Sequence, residues 1–158
     1  FIENALPTEL IDIEITKENK NFLEGINTCT HKESIHRIKP ICPKYYECGG
    51  CQLQHLLFEK ENKYKKEKVI ELLTKFTSIN KNVVEDTTYT DEYNYRNKIT
   101  LHGSNNKLGY HKTKTNDLIE INECPLVSNK INNIINIIMC LLSKIGLSLF
   151  KFDLFSLI

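Results

Sequence analysis

Four cysteines carry the chemistry that this chain must explain. Cys42, Cys48 and Cys51 have the spacing C-x5-C-x2-C, with Gly49 and Gly50 between the last two, and Cys124 follows 73 residues later, directly before Pro125. Three close thiolates and a remote one suit a [4Fe-4S] cube, because a short loop can reach three irons while a distant segment supplies the fourth ligand. Gly49 and Gly50 would let the backbone turn tightly and offer N–H groups to the sulfides. Structural zinc is the alternative, although four-cysteine zinc sites more often come as two close C-x2-C pairs and only one such pair is present. A third reading leaves the thiols unliganded and buried. Cys29 and Cys140, one in an expected strand and one in an expected apolar helix, fit that last class as small hydrophobes.

Disulfides are the weaker expectation for all six cysteines. No charged-then-apolar leader precedes Glu3, and the reducing cytoplasm, the expected location, does not keep disulfides. The first residue is Phe1 and not methionine, so the chain reads as an excerpt from a longer protein.

A second group of residues could meet an anionic partner. His55 follows the cysteine loop and could stack on a base or donate to phosphate, or it could be a hydrogen-bond partner inside the fold. Lys60 to Lys68 form a basic stripe that includes Lys65, and Tyr64 is interleaved with it. Arg96 and Lys98 alternate with Tyr95 and Asn97, which would place both cations on one face of a strand, at a spacing that suits consecutive phosphates. For each, an exposed solvated face is the plainer reading. Charge favours the anionic partner: residues 1 to 30 hold two lysines against six acids, whereas residues 31 to 68 hold nine basic residues against five acids. Nineteen lysines against two arginines, with abundant isoleucine and asparagine, reflect base-composition bias and weaken arguments from lysine alone.

These residues need elements to position them. At 158 residues and 41% hydrophobic content the chain can bury a core, which excludes wholesale disorder, and no apolar run reaches the ~18 residues of a membrane span. The pattern predicts an α+β fold. Leu10 to Thr16 and Phe22 to Thr30 read as a hairpin that turns at Asn19, Lys20 and Asn21. Two strands alone are marginal, so residues 1–40 read as the end of a small β-barrel. The loop of residues 41–57 follows. Phe58 to Phe76 reads as a helix whose Val69, Leu72, Leu73 and Phe76 face a core. Tyr95 to His102, Lys107 to His111 and Asp117 to Asn122 read as a second small sheet. Ser128 caps a helix to about Lys144 with an Ile131, Ile134, Ile135, Ile138 and Leu142 stripe, which Gly146 ends. Residues 58–146 thus make a small mixed α/β central domain, and residues 147–158 carry no assignment.

The run Cys42-Pro-Lys-Tyr-Tyr-Glu-Cys48-Gly-Gly-Cys51-Gln-Leu-Gln-His-Leu56 resembles the cluster loop in the iron-sulfur branch of the TrmA/RumA family of RNA uracil-5-methyltransferases. Phe1 to Pro7 resembles part of that family's TRAM domain, an OB-like RNA-binding barrel, and Ser34 to Pro40 its exit. Tyr95-Arg96-Asn97-Lys98 resembles the family's Y-R-N-K strand, Gly109-Tyr110 its G-F pair, and Ile119 to Cys124 the segment bearing the fourth cysteine. The resemblance implies Cys42, Cys48, Cys51 and Cys124 as ligands of one [4Fe-4S] cluster. It also implies action on structured RNA, 23S rRNA in this branch, with S-adenosylmethionine as methyl donor in the full-length protein; the chain is expected to be a monomer. Thr8 stands where the family usually has glycine, Glu61 where it usually has glutamine, and residues 147–158 do not follow the family's pattern. The family's methyltransferase domain, with its nucleophilic cysteine and catalytic glutamate, lies further downstream, and no G-x-G-x-x-G loop occurs among the six glycines. These 158 residues are therefore expected to be catalytically inactive alone.

Two other function classes fit the residues. Small cluster proteins often carry electrons, and a zinc-stapled RNA-binding domain would need no methylation. The basic block at residues 31–68 favours RNA, and an iron count distinguishes cluster from zinc.

Overall fold

The computed structural model describes residues 1–104, 107–145 and 149–155, and divides the chain into two compact units. The first comprises Phe1–Lys39 and Gln52–Thr87; the second comprises Pro40–Cys51 and Thr88–Ile158. This differs from the sequential division expected at residues 40, 57 and 146. The cysteine loop joins the C-terminal unit, and the helix after it joins the N-terminal one.

In the first unit, β1 (Ile2–Glu3), β2 (Leu10–Asn19) and β3 (Phe22–Lys32) form a sheet of order β1-β3-β2. The hairpin is as expected, with Lys20 and Asn21 connecting paired Asn19 and Phe22. Among the described residues this sheet is open, three strands wide, and closes no barrel. Gly25 sits where β1 and β2 both press on β3: a Cβ there would meet the Glu14 carbonyl oxygen at 2.6 Å and Ile2 Cδ1 at 3.1 Å. Glu9 fastens the N-terminal segment to the exit of β3. Its carboxylate accepts from the Leu6 and Ser34 amides at 2.8 and 3.2 Å and from Arg37 Nη2 at 2.7 Å, and Arg37 reaches on to the Asn4 carbonyl.

Helix α1 spans Phe58–Phe76, as its periodicity predicts. Its apolar stripe does not enter a core among the described residues. Val69, Leu72 and Phe76 are 48, 55 and 71% exposed, and the buried residue is Asn62, whose amide donates to the Phe58 carbonyl. Periodicity reports which residues share a face and is silent on what covers that face.

In the second unit, β4 (Lys98–Ser104), β5 (Lys107–His111), β6 (Leu118–Glu120) and β7 (Leu149–Phe155) form an antiparallel sheet of order β6-β5-β4-β7. The expected Tyr95–His102 strand begins later, at Lys98, and the unassigned tail supplies β7 along β4. Helix α2 (Asn129–Ile145) buries Ile131, Ile135 and Leu142 against Ile99, Leu101, Leu108, Ile119 and Val127. Ile134, expected in the stripe, is 37% exposed at its margin. Ser128 does precede the helix, and its carbonyl accepts from the Ile131 and Asn132 amides, but its buried hydroxyl makes no capping bond. Gly146, the expected stop, lies outside the described residues.

Candidate metal centre

All four cysteines of the constellation belong to the second unit, and two sets of backbone bonds fix them there. Residues 42–48 wind through consecutive turns, with Tyr45 N–H donating to the Cys42 carbonyl and Cys48 N–H to the Lys44 carbonyl. The loop docks on the end of β5: Gly49 N–H donates to the His111 carbonyl at 3.2 Å and Thr113 N–H to the Glu47 carbonyl at 3.1 Å. Cys124 comes from the far side of β6, where residues 94–96 pair with 125–128. Asn94 N–H donates to Pro125, Arg96 N–H to Leu126, and Ser128 N–H to the Arg96 carbonyl.

Asn132 completes that support. It is 7% exposed, its Oδ1 accepts from Cys124 N–H at 3.0 Å, and its Nδ2 donates to the Cys124 carbonyl at 3.1 Å. One side chain of α2 therefore satisfies both backbone groups of the cysteine, groups that would otherwise be buried without partners.

The thiols lie near enough for their charges to act on one another. Cys48 and Cys124 are buried, Cys42 and Cys51 half-buried. Burial raises Cys42, Cys48 and Cys51, the last to about 11, and the charge of Cys124 pushes each further, with Cys42 adding to Cys48 and both adding to Cys51. Four thiolates in such a place repel one another and need a cation at their centre, which is the donor set of an iron-sulfur cube or of zinc. No three of the four sulfurs lie within 4.8 Å of one another; the one triad of ligand atoms that close among the described residues is elsewhere, at Asp12, Cys29 and His31. Gly50 N–H points at the Cys48 Sγ of its own loop at 3.4 Å. Neither Gly49 nor Gly50 adopts a left-handed backbone, so the tight turn is made without one.

Two further side chains border the thiols. The Arg96 guanidinium donates to the Gly50 carbonyl at 3.2 Å, lies 5.9 Å from the Tyr95 ring centre and partly offsets the charge at Cys48 and Cys51. Burial raises the Tyr110 hydroxyl well above its ordinary value, reinforced by the neighbouring Cys124, to which it is hydrogen bonded. A cleft of about 530 Å³, lined by Ile41, Cys42, Lys44, Tyr93, Asn94 and Glu123 among others, opens on the Cys42 side.

The expected RNA-contact residues divide between the two units. His55 is 2% exposed within the first unit, where burial first and Arg37 second lower its pKa, so its ring is not presented to a base. Tyr64 is exposed on α1 with the Lys68 ammonium 5.6 Å from its ring. Lys65 is bridged to Glu61 at 2.6 Å, and Lys66 and Lys68 likewise meet Asp86 and Glu71, which moderates the basic stripe. Lys98 is exposed at the start of β4, while Arg96, ahead of that strand, is half-buried and engaged with the cysteine loop. Cys29 and Cys140, expected to be buried, are both exposed.

The chain is similar to RNA methyltransferases. An uncharacterized RNA methyltransferase of Aquifex aeolicus (strain VF5) is 32% identical over 136 residues, covering 85% of this chain and 32% of that protein. One of Staphylococcus aureus (strain COL) is 31% identical, covering 96% of this chain and 35% of its own length. The 23S rRNA (uracil(1939)-C(5))-methyltransferase RlmD of Shewanella halifaxensis (strain HAW-EB4) is 29% identical, covering 92% and 34%. The chain thus spans about a third of the length of the methyltransferases it matches. No family model matches it. The crystal structure of Pyrococcus abyssi tRNA (uracil-54, C5)-methyltransferase with S-adenosyl-L-homocysteine shares the fold, with a TM-score of 0.66 at 21% identity over 94% of this chain and 33% of that one. No helix of the described residues is long and apolar enough to cross a membrane.

Proposed function

We propose that this chain is the RNA-recognition and iron-sulfur portion of an S-adenosylmethionine-dependent RNA uracil-5-methyltransferase acting on 23S rRNA. The observation that carries the reading is the convergence of Cys42, Cys48, Cys51 and Cys124 within a chain similar to RNA methyltransferases.

In this reading the four thiolates hold a [4Fe-4S] cluster, which supplies cross-linking of the loop to the segment after β6. The chain's own residues do the rest. Asn132 fixes the Cys124 backbone, Tyr110 donates towards the Cys124 sulfur, and Arg96 places positive charge beside Cys48 and Cys51. RNA is held by exposed side chains, Tyr64 and Lys65 from the first unit and Lys98 from the second, with the half-buried Arg96 two residues before Lys98 adding its charge. No step of methyl transfer is assigned to the residues of this chain, which spans about a third of the length of the methyltransferases it matches.

Anaerobic purification with an iron count and a visible spectrum tests the centre. Four irons per chain are expected, lost in Cys124→Ser and kept in Cys140→Ser; iron retained without Cys124 overturns the ligand set. Filter binding tests the RNA role. Replacing Lys98, Tyr64 and Lys65 with alanine should weaken binding to rRNA fragments more than replacing Lys130 and Lys144, and binding should fall steeply with salt. Loss of neither would return an iron-sulfur electron carrier to first place.

A further inference from the structure

The β2–β3 hairpin gathers a set of donors that the methyltransferase reading does not use. Cys29 and His31 are two apart on β3, and Asp12 of β2 lies directly opposite Cys29. Cross-strand partners are the nearest side-chain neighbours in a sheet. Two register shifts bracket the position: Ile11 pairs with Thr30 while Leu10 pairs with Lys32, and Ile13 pairs with Asn27 while Asp12 pairs with Cys29. His31 and Thr28 are thereby the extra residues of two consecutive bulges, the device that re-aims side chains along a strand. In a plain ladder His31 would stand beside Leu10; here its Nε2 lies 2.8 Å from Asp12 Oδ2. The Thr28 hydroxyl donates to the Asp12 carbonyl at 3.1 Å and the Asn27 amide to the Thr30 hydroxyl at 2.8 Å, which hold the irregular backbone.

The result is a carboxylate oxygen, a thiol sulfur and an imidazole nitrogen all within 4.8 Å of one another. Each is open to solvent, with the His31 and Asp12 side chains 49 and 62% exposed. We propose that Asp12, Cys29 and His31 form a second metal site that binds one divalent ion of the zinc class on the exposed face of the hairpin. Sulfur and imidazole exclude hard magnesium and calcium, and the mixed S, N, O set suits zinc, with water in the fourth position. On binding, the Cys29 thiol proton leaves to solvent and the thiolate coordinates. The site is independent of the four-cysteine centre, so its failure and that of the methyltransferase reading are separable.

Cobalt(II) is the probe. The full chain, its four-cysteine centre first loaded anaerobically, is titrated with cobalt(II) and read by low-temperature electron paramagnetic resonance and by metal count after gel filtration. High-spin cobalt is visible there, whereas an oxidised [4Fe-4S] cluster and zinc are silent. One cobalt per chain is expected, displaced by zinc. Cys29→Ser, Asp12→Asn and His31→Gln should each weaken it at least about 10-fold, with iron content and melting temperature unchanged. If the wild type binds no more cobalt than Cys29→Ser, or if Asp12→Asn or His31→Gln keeps wild-type affinity, the site is refuted.

Discussion

Glu9 shows how much one side chain can hold. The Arg37 hydrogen bond first, and the Leu6 and Ser34 amides with it, bring its carboxyl from 4.5 down to about 2 against the opposing effect of burial. A folded-state value below the unfolded one means that the stabilisation is complete above about pH 4.5 and drains as pH falls towards 2. A shift of that size corresponds to about 3 kcal/mol. Glu9→Gln should therefore lower urea stability by about that much at pH 7, and the gap from wild type should close as pH approaches 2; a gap that is constant with pH rules the clasp out. At this scale the grouping of the four cysteines was legible, because a short loop with three of them and a remote fourth is written along the chain. Asn132 was not, since an asparagine eight residues after a cysteine acquires meaning only when the helix folds back on it. Arg96 was legible as a cation, but its partner, the Gly50 carbonyl, lies 46 residues away. The exposure of Cys29 was not legible, because strand membership alone does not say which face is covered.

Among the elements, β5 and β6 approach so closely at Gly109 that any side chain would collide: a Cβ would sit 1.7 Å from the Ile119 carbonyl oxygen. The same strands carry Tyr110 to Cys124 and lead the chain to that cysteine. Gly109→Ala should part the two strands, lower iron content and expose the Ile121 amide, bonded at 3.1 Å to the Leu108 carbonyl, to faster hydrogen exchange. Gly49→Ala, whose added carbon would meet nothing nearer than 3.5 Å, should keep its iron, and equal losses in both would remove the strand approach as the cause. Helix boundaries were readable to the residue for α1, because an apolar period bounded by polar loops defines length. The exposure of Val69, Leu72 and Phe76 was not readable, since nothing local to a helix encodes its neighbour. β7 escaped notice for a similar reason: its pairing with β4 spans some fifty residues.

At the level of the whole molecule, the second unit is assembled from two stretches of chain with Gln52–Thr87 interposed. The four thiols come from both of those stretches, and in the proposed reading a cluster would join them there. Oxidative removal of the cluster should reduce hydrogen-exchange protection along β5 and the start of α2 while leaving the β2–β3 hairpin unchanged. Equal loosening of both units would show that the centre does not act as a local cross-link.

That interposition also has a meaning in time. Ribosomes deliver about 5–20 residues each second, so the 73 residues separating Cys51 from Cys124 take roughly 4–15 s to appear. All of the first unit is out by Thr87, 37 residues before the fourth thiol. On the proposed reading, three of the ligands would wait through that interval open to oxidants and to an iron donor, and Cys124 would close the site last.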